Sequence, residues 1–212
     1  MRPRPRPFRR GLTFIELLMA LAITAMVTAA ISAMWTAISS GERARRDNRA
    51  FAVRTYAAKS RISGYIAPCR SLLSTDGCKL VLWRDDSRVS GTVHASEIRW
   101  LIFDNATGNL DVYYVKFPST WTEVAKALRD HEYAVNTNWD SVLNSYTLDN
   151  LIGRLTLVDG VASVAVTLDA ATALSSREVT YTLGFTTEIS GQPVPQTLTA
   201  AILTHVTPVN PA

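Results

Sequence analysis

The side chains best suited to nucleophilic or acid–base chemistry in this sequence are three histidines and two cysteines. His94, His131 and His205 lie far apart, and lone histidines in predicted strands are more often structural than catalytic. The sequence contains no serine-hydrolase elbow, zinc-protease motif or phosphate-binding loop. We therefore expect no catalytic residue, no cofactor and no enzymatic activity.

The two cysteines, Cys69 and Cys78, have eight residues between them. A metal site needs more ligands than two thiols, and no histidine lies near them in the sequence. They follow a long apolar segment of the kind that directs export, and disulfides persist in oxidising compartments. We expect a Cys69–Cys78 disulfide that closes a small loop, with two unpaired thiols as the alternative.

Oxygen-bearing side chains that calcium could use cluster around one predicted turn: Asp104, Asn105, Thr107 and Asp111. Their spacing does not match a known calcium loop. Turn formation explains the same residue types, because Asp and Asn favour turns through local hydrogen bonds. The sequence therefore predicts no metal site here.

The basic charge of the chain is concentrated at its N-terminus. The formal net charge is +4, and five arginines precede Gly11 with no acidic residue among them. Without those five, 17 basic residues face 18 acidic ones, a balance of −1. A nucleic-acid partner is therefore not predicted from the charge.

An apolar segment follows these arginines, from Leu12 to Ile38, and its single charge is Glu16. Proline is absent from Leu12 to Ala67, so a long helix is expected. An ordinary secretory signal has a shorter apolar run. An ordinary membrane anchor fits the length but leaves the carboxylate unexplained, since an ionisable group in a membrane segment carries a free-energy cost.

The sequence Gly11-Leu12-Thr13-Phe14-Ile15-Glu16-Leu17-Leu18, preceded by basic residues, resembles the class III leader of type IV prepilins and pseudopilins. The resemblance covers roughly the first forty residues. It implies that a membrane-embedded prepilin peptidase cuts after Gly11 and methylates the new N-terminus, Leu12. Most members of the family have Phe at that first position, whereas this chain has Leu12 there and Phe14 third.

The resemblance also implies a role for Glu16, the fifth residue of the mature chain. A free α-amino group is a cation in the apolar bundle of an assembling filament, and a paired buried charge costs much less free energy than a lone one. Glu16 is expected to supply the negative charge, to a neighbouring subunit. A tolerated Glu at the membrane interface is the alternative.

The charges around the apolar segment predict its orientation. Five arginines precede it, and residues 41–49 after it carry a net +2. The positive-inside bias keeps the leader in the cytoplasm and exports the rest. We expect a prepilin leader at 1–11, a transmembrane and filament-core half-helix at 12–40, and a periplasmic head at 41–212, anchored by one pass through the inner membrane.

The rest of the chain predicts an α+β head. The long helix is expected to run from Leu12 to about Ser60 and to become amphipathic in its second half. Strands and one short helix then follow from period-2 patterns and turn residues, with hairpins at Asp104–Asn109 and at Asp159-Gly160. The predicted strands are 79–84, 97–103, 110–117, 153–158, 161–168, 178–187 and 197–205, and the short helix is 122–133. The expected architecture is a long N-terminal α-helix packed on a mostly antiparallel β-sheet.

The segment from Leu155 to Val164 is similar to a hairpin of J-type minor pseudopilins of type II secretion and of related minor pilins. These resemblances imply a minor pseudopilin that assembles into or caps a short pseudopilus. Its partners would be other minor and major pseudopilins or pilins, the prepilin peptidase and the inner membrane. A minor pilin of a type IV pilus or DNA-uptake machine is the alternative. A membrane-anchored extracytoplasmic enzyme or binding domain is the alternative from another class.

Overall fold

The computed structural model describes residues 13–186 and 192–211, and within them the chain forms three α-helices and ten strands. The helices are α1 Phe14–Ile66, α2 Glu123–Arg129 and α3 Trp139–Leu148. The strands are β1 Ser71–Thr75, β2 Lys79–Trp83, β3 Val93–His94, β4 Ile98–Asp104, β5 Asn109–Val115, β6 Glu132–Tyr133, β7 Ile152–Val158, β8 Val161–Leu168, β9 Glu178–Thr186 and β10 Pro193–Ala201.

Helix α1 is 53 residues long, or roughly 80 Å at a rise of ~1.5 Å per residue. Its sequence is free of proline, and alanine, leucine and arginine, all strong helix formers, are frequent in it. It ends at Ile66 because Pro68 disfavours the helical conformation in the residue before it. The predicted helix is confirmed, and it ends six residues later than Ser60.

Helix α1 passes through two compact units, Met1–Asn48 and Arg49–Ala212. In the described part of the first unit, no residue of the helix is buried. In the second unit, Ala58, Ile62 and Ile66 are buried at steps of four residues, which places them on one face of the helix. The first unit therefore leaves its apolar surface uncovered, and the second packs around a core.

Within the described residues, the strands form three sheets, and every pairing among them is antiparallel. A five-stranded sheet has the order β1-β2-β4-β5-β7, a three-stranded sheet the order β10-β9-β8, and β3 pairs with β6. The expected α+β class, a long N-terminal helix followed by a mostly antiparallel sheet, is confirmed.

The predicted hairpin between β4 and β5 is also confirmed, with Asp104 opposite Asn109. Gly108 has φ +67°, a left-handed conformation that glycine adopts without a steric penalty. Asp104 fixes the turn, because its carboxylate accepts hydrogen bonds from the Ala106 N–H at 3.0 Å and the Thr107 hydroxyl at 2.9 Å.

The predicted hairpin at Asp159-Gly160 is wrong. Strand β7 pairs with β5 and strand β8 with β9, so the turn joins two different sheets. Just after the turn, the Val161 N–H donates to the Gly108 carbonyl at 2.8 Å, and this bond ties β8 to the β4–β5 turn. A Gly turn between two strand patterns specifies a change of direction, whereas the choice of partner depends on residues far along the chain.

Two apolar clusters lie on opposite faces of the five-stranded sheet. One cluster joins α1 to Leu80, Leu82 and Leu101 and continues under the three-stranded sheet. The other joins α3 to the alternate residues of the same strands, including Trp83 and Trp100. Because both faces of this sheet are covered, the sequence of β2 is a nearly continuous apolar run.

The insert between β5 and β7 contains two helices, of which the sequence predicted one. The predicted helix at 122–133 is shorter, Glu123–Arg129, and the Thr122 hydroxyl caps it. Helix α3 was missed, although Asn138 caps its start and its buried residues Trp139, Val142 and Tyr146 follow helical spacing. Strand β1 was also missed.

Strand β10 begins four residues earlier than predicted and ends at Ala201. Pro193 and Pro195, which precede the predicted strand 197–205, lie in it. Among the strands that the structure describes, β10 pairs with β9 alone. Proline is tolerated there because a strand at the edge of a sheet needs hydrogen bonds on one side only.

Candidate assembly site at the start of the long helix

The predicted processing residues Gly11 and Leu12 lie outside the described residues, as does the whole of the predicted leader 1–11. The described chain begins at Thr13, immediately before α1. Glu16, the third predicted site residue, lies in the first turn of that helix. The cleavage and methylation of the N-terminus therefore remain predictions.

Thr13 and Glu16 form a reciprocal pair at the helix start. The Glu16 carboxylate accepts hydrogen bonds from the Thr13 N–H at 2.9 Å and the Thr13 hydroxyl at 3.0 Å. The Glu16 N–H donates in turn to the Thr13 hydroxyl oxygen at 3.4 Å. This is a capping box, which satisfies N–H groups that have no partner within the helix.

The Glu16 carboxylate is exposed and keeps capacity for a cationic partner. Within residues 13–186 and 192–211 it has no ion pair. Its neighbours Phe14 and Ile15 are 76% and 66% exposed, so the surface around the carboxylate is apolar. Such a carboxylate can neutralise an amine that enters the same apolar surroundings.

The apolar segment after Glu16 satisfies its own polar groups. The hydroxyls of Thr24, Thr28, Ser32 and Thr36 each donate to the carbonyl four residues earlier, at 2.7–2.9 Å. In lipid every polar group needs an internal partner, and these hydroxyls have one. The four-residue spacing of this row is visible in the sequence, although it was not predicted above as a functional feature.

One helix in the described part of the chain, α1, is long and apolar enough to cross a membrane, with a mean hydropathy of 2.2 over its most apolar window. None of that window is buried. A family described as the prokaryotic N-terminal methylation motif matches residues 6–32. The match supports a type IV pilin-like protein. Together the motif and the helix are consistent with a single-pass membrane anchor.

The motif covers both the predicted cleavage position and Glu16, together with most of the apolar segment. It ends before the head begins, so it does not distinguish among subunits of this kind. No curated protein gave a significant match. No solved structure matched the chain significantly.

The two cysteines lie apart in the head, and the predicted disulfide is not present. Both thiols are free, with Cys69 buried and Cys78 exposed. Cys69 precedes β1, and Cys78 lies in the turn before β2 at the other end of that hairpin. Strand β2 spans roughly 15 Å at ~3.3 Å per residue, and a disulfide needs Cα atoms within about 7 Å. The antiparallel register therefore separates residues that are close in sequence.

The acidic residues near the β4–β5 turn are occupied by internal partners. Asp111, which is fully buried, accepts hydrogen bonds from Arg154 and from the Thr156 hydroxyl at 2.7 Å. Arg154 also lies 3.8 Å from Asp104. A guanidinium thus lies between the two carboxylates. No group of three or more metal-binding side chains occurs within the described residues.

The histidines do not form a common site. His94 Nδ1 is 3.2 Å from the Asp130 carbonyl oxygen, and His94 Nε2 is 3.1 Å from the Ser90 hydroxyl and 3.4 Å from Glu132. His205 Nε2 lies 3.0 Å from the Leu174 carbonyl oxygen. These contacts connect the two-stranded sheet and the C-terminal segment to the rest of the head, which is a structural role.

Proposed function

We propose that this chain is a minor pseudopilin that assembles into or caps a short periplasmic pseudopilus of a type II secretion system. The observation that carries the proposal is the N-terminal methylation motif at residues 6–32, continuous with a helix whose apolar half is uncovered. A structural subunit of this kind needs no catalytic group. Its N-terminal helix is held in the inner membrane until it joins other subunits, and its head faces the periplasm.

The proposed assembly uses the start of the apolar half-helix and the apolar segment that follows it. A prepilin peptidase cuts after Gly11 and methylates Leu12, and Glu16 pairs with the amine of a neighbouring subunit. The rest of the segment contacts other subunits through helix–helix packing, which small residues favour because they let backbones approach closely. The row of Thr24, Thr28, Ser32 and Thr36 offers such a face.

Two features favour a low-copy subunit. Helix α1 has no proline that would bend it within its apolar half, whereas many major pilins carry one there. The head carries an insert between β5 and β7 that contains α2, β6 and α3. A larger head fits less readily into a repeating shaft, and it is acceptable at a tip.

Mass spectrometry of the mature protein tests the processing. The expected N-terminus is methylated Leu12; an N-terminus at Met1 or at a later small-residue site would support a membrane-anchored enzyme or binding domain instead. Quantitative proteomics of sheared filaments tests the place in the assembly, and the expected result is a low copy number. Dominance of this chain, or homopolymeric fibres made by it alone, would exclude a minor subunit. Neighbouring genes distinguish secretion from a type IV pilus or DNA uptake.

A further inference from the structure

Three arginines of α1 lie just beyond its apolar segment. Arg43, Arg45 and Arg46 follow Ile38 by five, seven and eight residues and lie in the same compact unit as that segment. All three are exposed. They form what we call the arginine collar.

The length of the apolar segment places the collar at the level of lipid headgroups. Residues 14–38 span roughly 37 Å, against a hydrocarbon thickness of about 30 Å. Trp35, 72% exposed near the end of the segment, is of the type enriched at membrane–water interfaces. Arg43 and Arg46 lie about 8 Å and 12 Å beyond Ile38, and their long side chains can reach back to the interface.

The three collar arginines do not share one face of α1, because Arg45 lies on the side away from Arg43. At about 100° per residue, Arg45 lies about 160° from Arg43 and about 100° from Arg46, while Arg43 and Arg46 are about 60° apart. A protein partner docks on one face of a helix, so this distribution fits it poorly. Phospholipid headgroups surround a membrane helix on all sides and fit this distribution well.

The collar retains positive charge. Arg46 makes an exposed ion pair with Glu42 at 3.4 Å, a kind of pair that contributes little free energy. Arg45 has no ion pair with any of the described residues. Across residues 41–49, four arginines face two acidic residues, for a net +2.

We propose that the arginine collar binds the phosphate groups of anionic phospholipids in the leaflet next to the head. A guanidinium binds phosphate through two parallel hydrogen bonds, which favours arginine over lysine for this contact. The choice of leaflet rests on the proposed function. In that function, cleavage removes the five leader arginines, and the collar then provides the arginines nearest the membrane. It would hold the mature helix at its exported end until assembly.

The test uses the full chain in phospholipid vesicles. Energy transfer from tryptophan, with Trp35 nearest the lipid, to dansyl-labelled phosphatidylglycerol or phosphatidylcholine gives the preference for the anionic lipid. We compare the native chain with R43Q/R45Q/R46Q. The matched control R54Q/K59Q/R177Q removes the same charge from exposed positions of the second compact unit, Arg49–Ala212. Carbonate extraction verifies that every variant is inserted.

The native chain is expected to prefer phosphatidylglycerol, and the preference should fall about fivefold for each collar arginine removed and weaken with salt. The control should keep the native preference. An unchanged preference in the collar variant, or an equal loss in the control, would overturn the proposal. So would a native chain with no preference for phosphatidylglycerol over phosphatidylcholine. Because the vesicles contain no peptidase or partner subunit, failure of processing or assembly would leave this result standing.

Discussion

The Glu16 carboxylate accepts hydrogen bonds from both the backbone N–H and the hydroxyl of Thr13. The same side chain that is proposed to neutralise a neighbouring amine therefore also caps its own helix. These two roles make different demands on the side chain, because capping needs an acceptor and charge pairing needs a negative charge. Substitutions that keep one property and remove the other can separate them.

Glu16→Gln is expected to keep the cap, since glutamine also serves in a capping box, and to lose the charge. Glu16→Ala loses both. If charge pairing drives assembly, both variants should be cut after Gly11 and both should be absent from the assembled fraction. Immunoblots of membrane and sheared-filament fractions measure the two steps. Thr13→Ala is the control that loses the cap, at about 1 kcal/mol for the helix start, and should still assemble. Normal assembly of Glu16→Gln would show that the charge is not needed.

Gly11→Val is expected to block processing, because the prepilin peptidase requires a residue without a side chain before the cut. Full-length precursor should accumulate in the membrane, detected by its larger mass on immunoblots and by mass spectrometry. Gly41→Val, in the exposed part of α1 where a Cβ would meet no atom within 4 Å, is a matched control that should be cut normally. A Gly11→Val chain of normal mature length would remove the processing hypothesis.

The free thiols are expected to differ in reactivity. Cys78 is exposed, whereas burial raises the pKa of the Cys69 thiol to about 12, so Cys69 has little reactive thiolate at neutral pH. Iodoacetamide without reductant should label one thiol in the folded protein and two in urea, counted by intact mass. Cys78→Ser should abolish the native labelling. Two thiols that resist alkylation in urea until a reductant is added would show that the cysteines are bridged after all.

The ion pair between Asp111 and Arg154 is expected to stabilise the head. Arg154→Ala leaves the fully buried Asp111 carboxylate with the Thr156 hydroxyl as its remaining side-chain partner. Because Arg154 itself is 44% exposed, the free energy of unfolding is expected to fall, but by less than for a fully buried pair. Urea unfolding of the full chain in detergent, followed by tryptophan fluorescence, measures it.

The control for Arg154→Ala is Arg177→Ala, which removes an exposed arginine elsewhere in the head. It should change the free energy of unfolding by less than about 0.5 kcal/mol. The double variant Asp111→Val/Arg154→Ala should recover part of the stability that Arg154→Ala loses, since no buried charge is then left unpaired. An Arg154→Ala chain as stable as the native one would show that the pair adds nothing.

The sequence by itself determined the features that depend on near neighbours. The absence of proline and the run of apolar residues specify α1, and the turn residues around Gly108 specify the β4–β5 hairpin. The candidate site is of the same kind, because Thr13 and Glu16 meet across one helical turn. In each case the contacts span a few residues, so local preference is enough.

The tertiary structure decided which strands pair and which side chains meet. The chain turns at Gly160 after β7, and β8 joins a second sheet. The reason is that β7 pairs with β5 and β8 pairs with β9, and these pairings complete the core around α1. Strand pairing also places Cys69 and Cys78 at opposite ends of the β1–β2 hairpin, and the pairing of β5 with β7 brings Arg154 to Asp111. Strand pairing joins residues far apart in the chain, so a local pattern fixes where a strand lies but not what lies beside it.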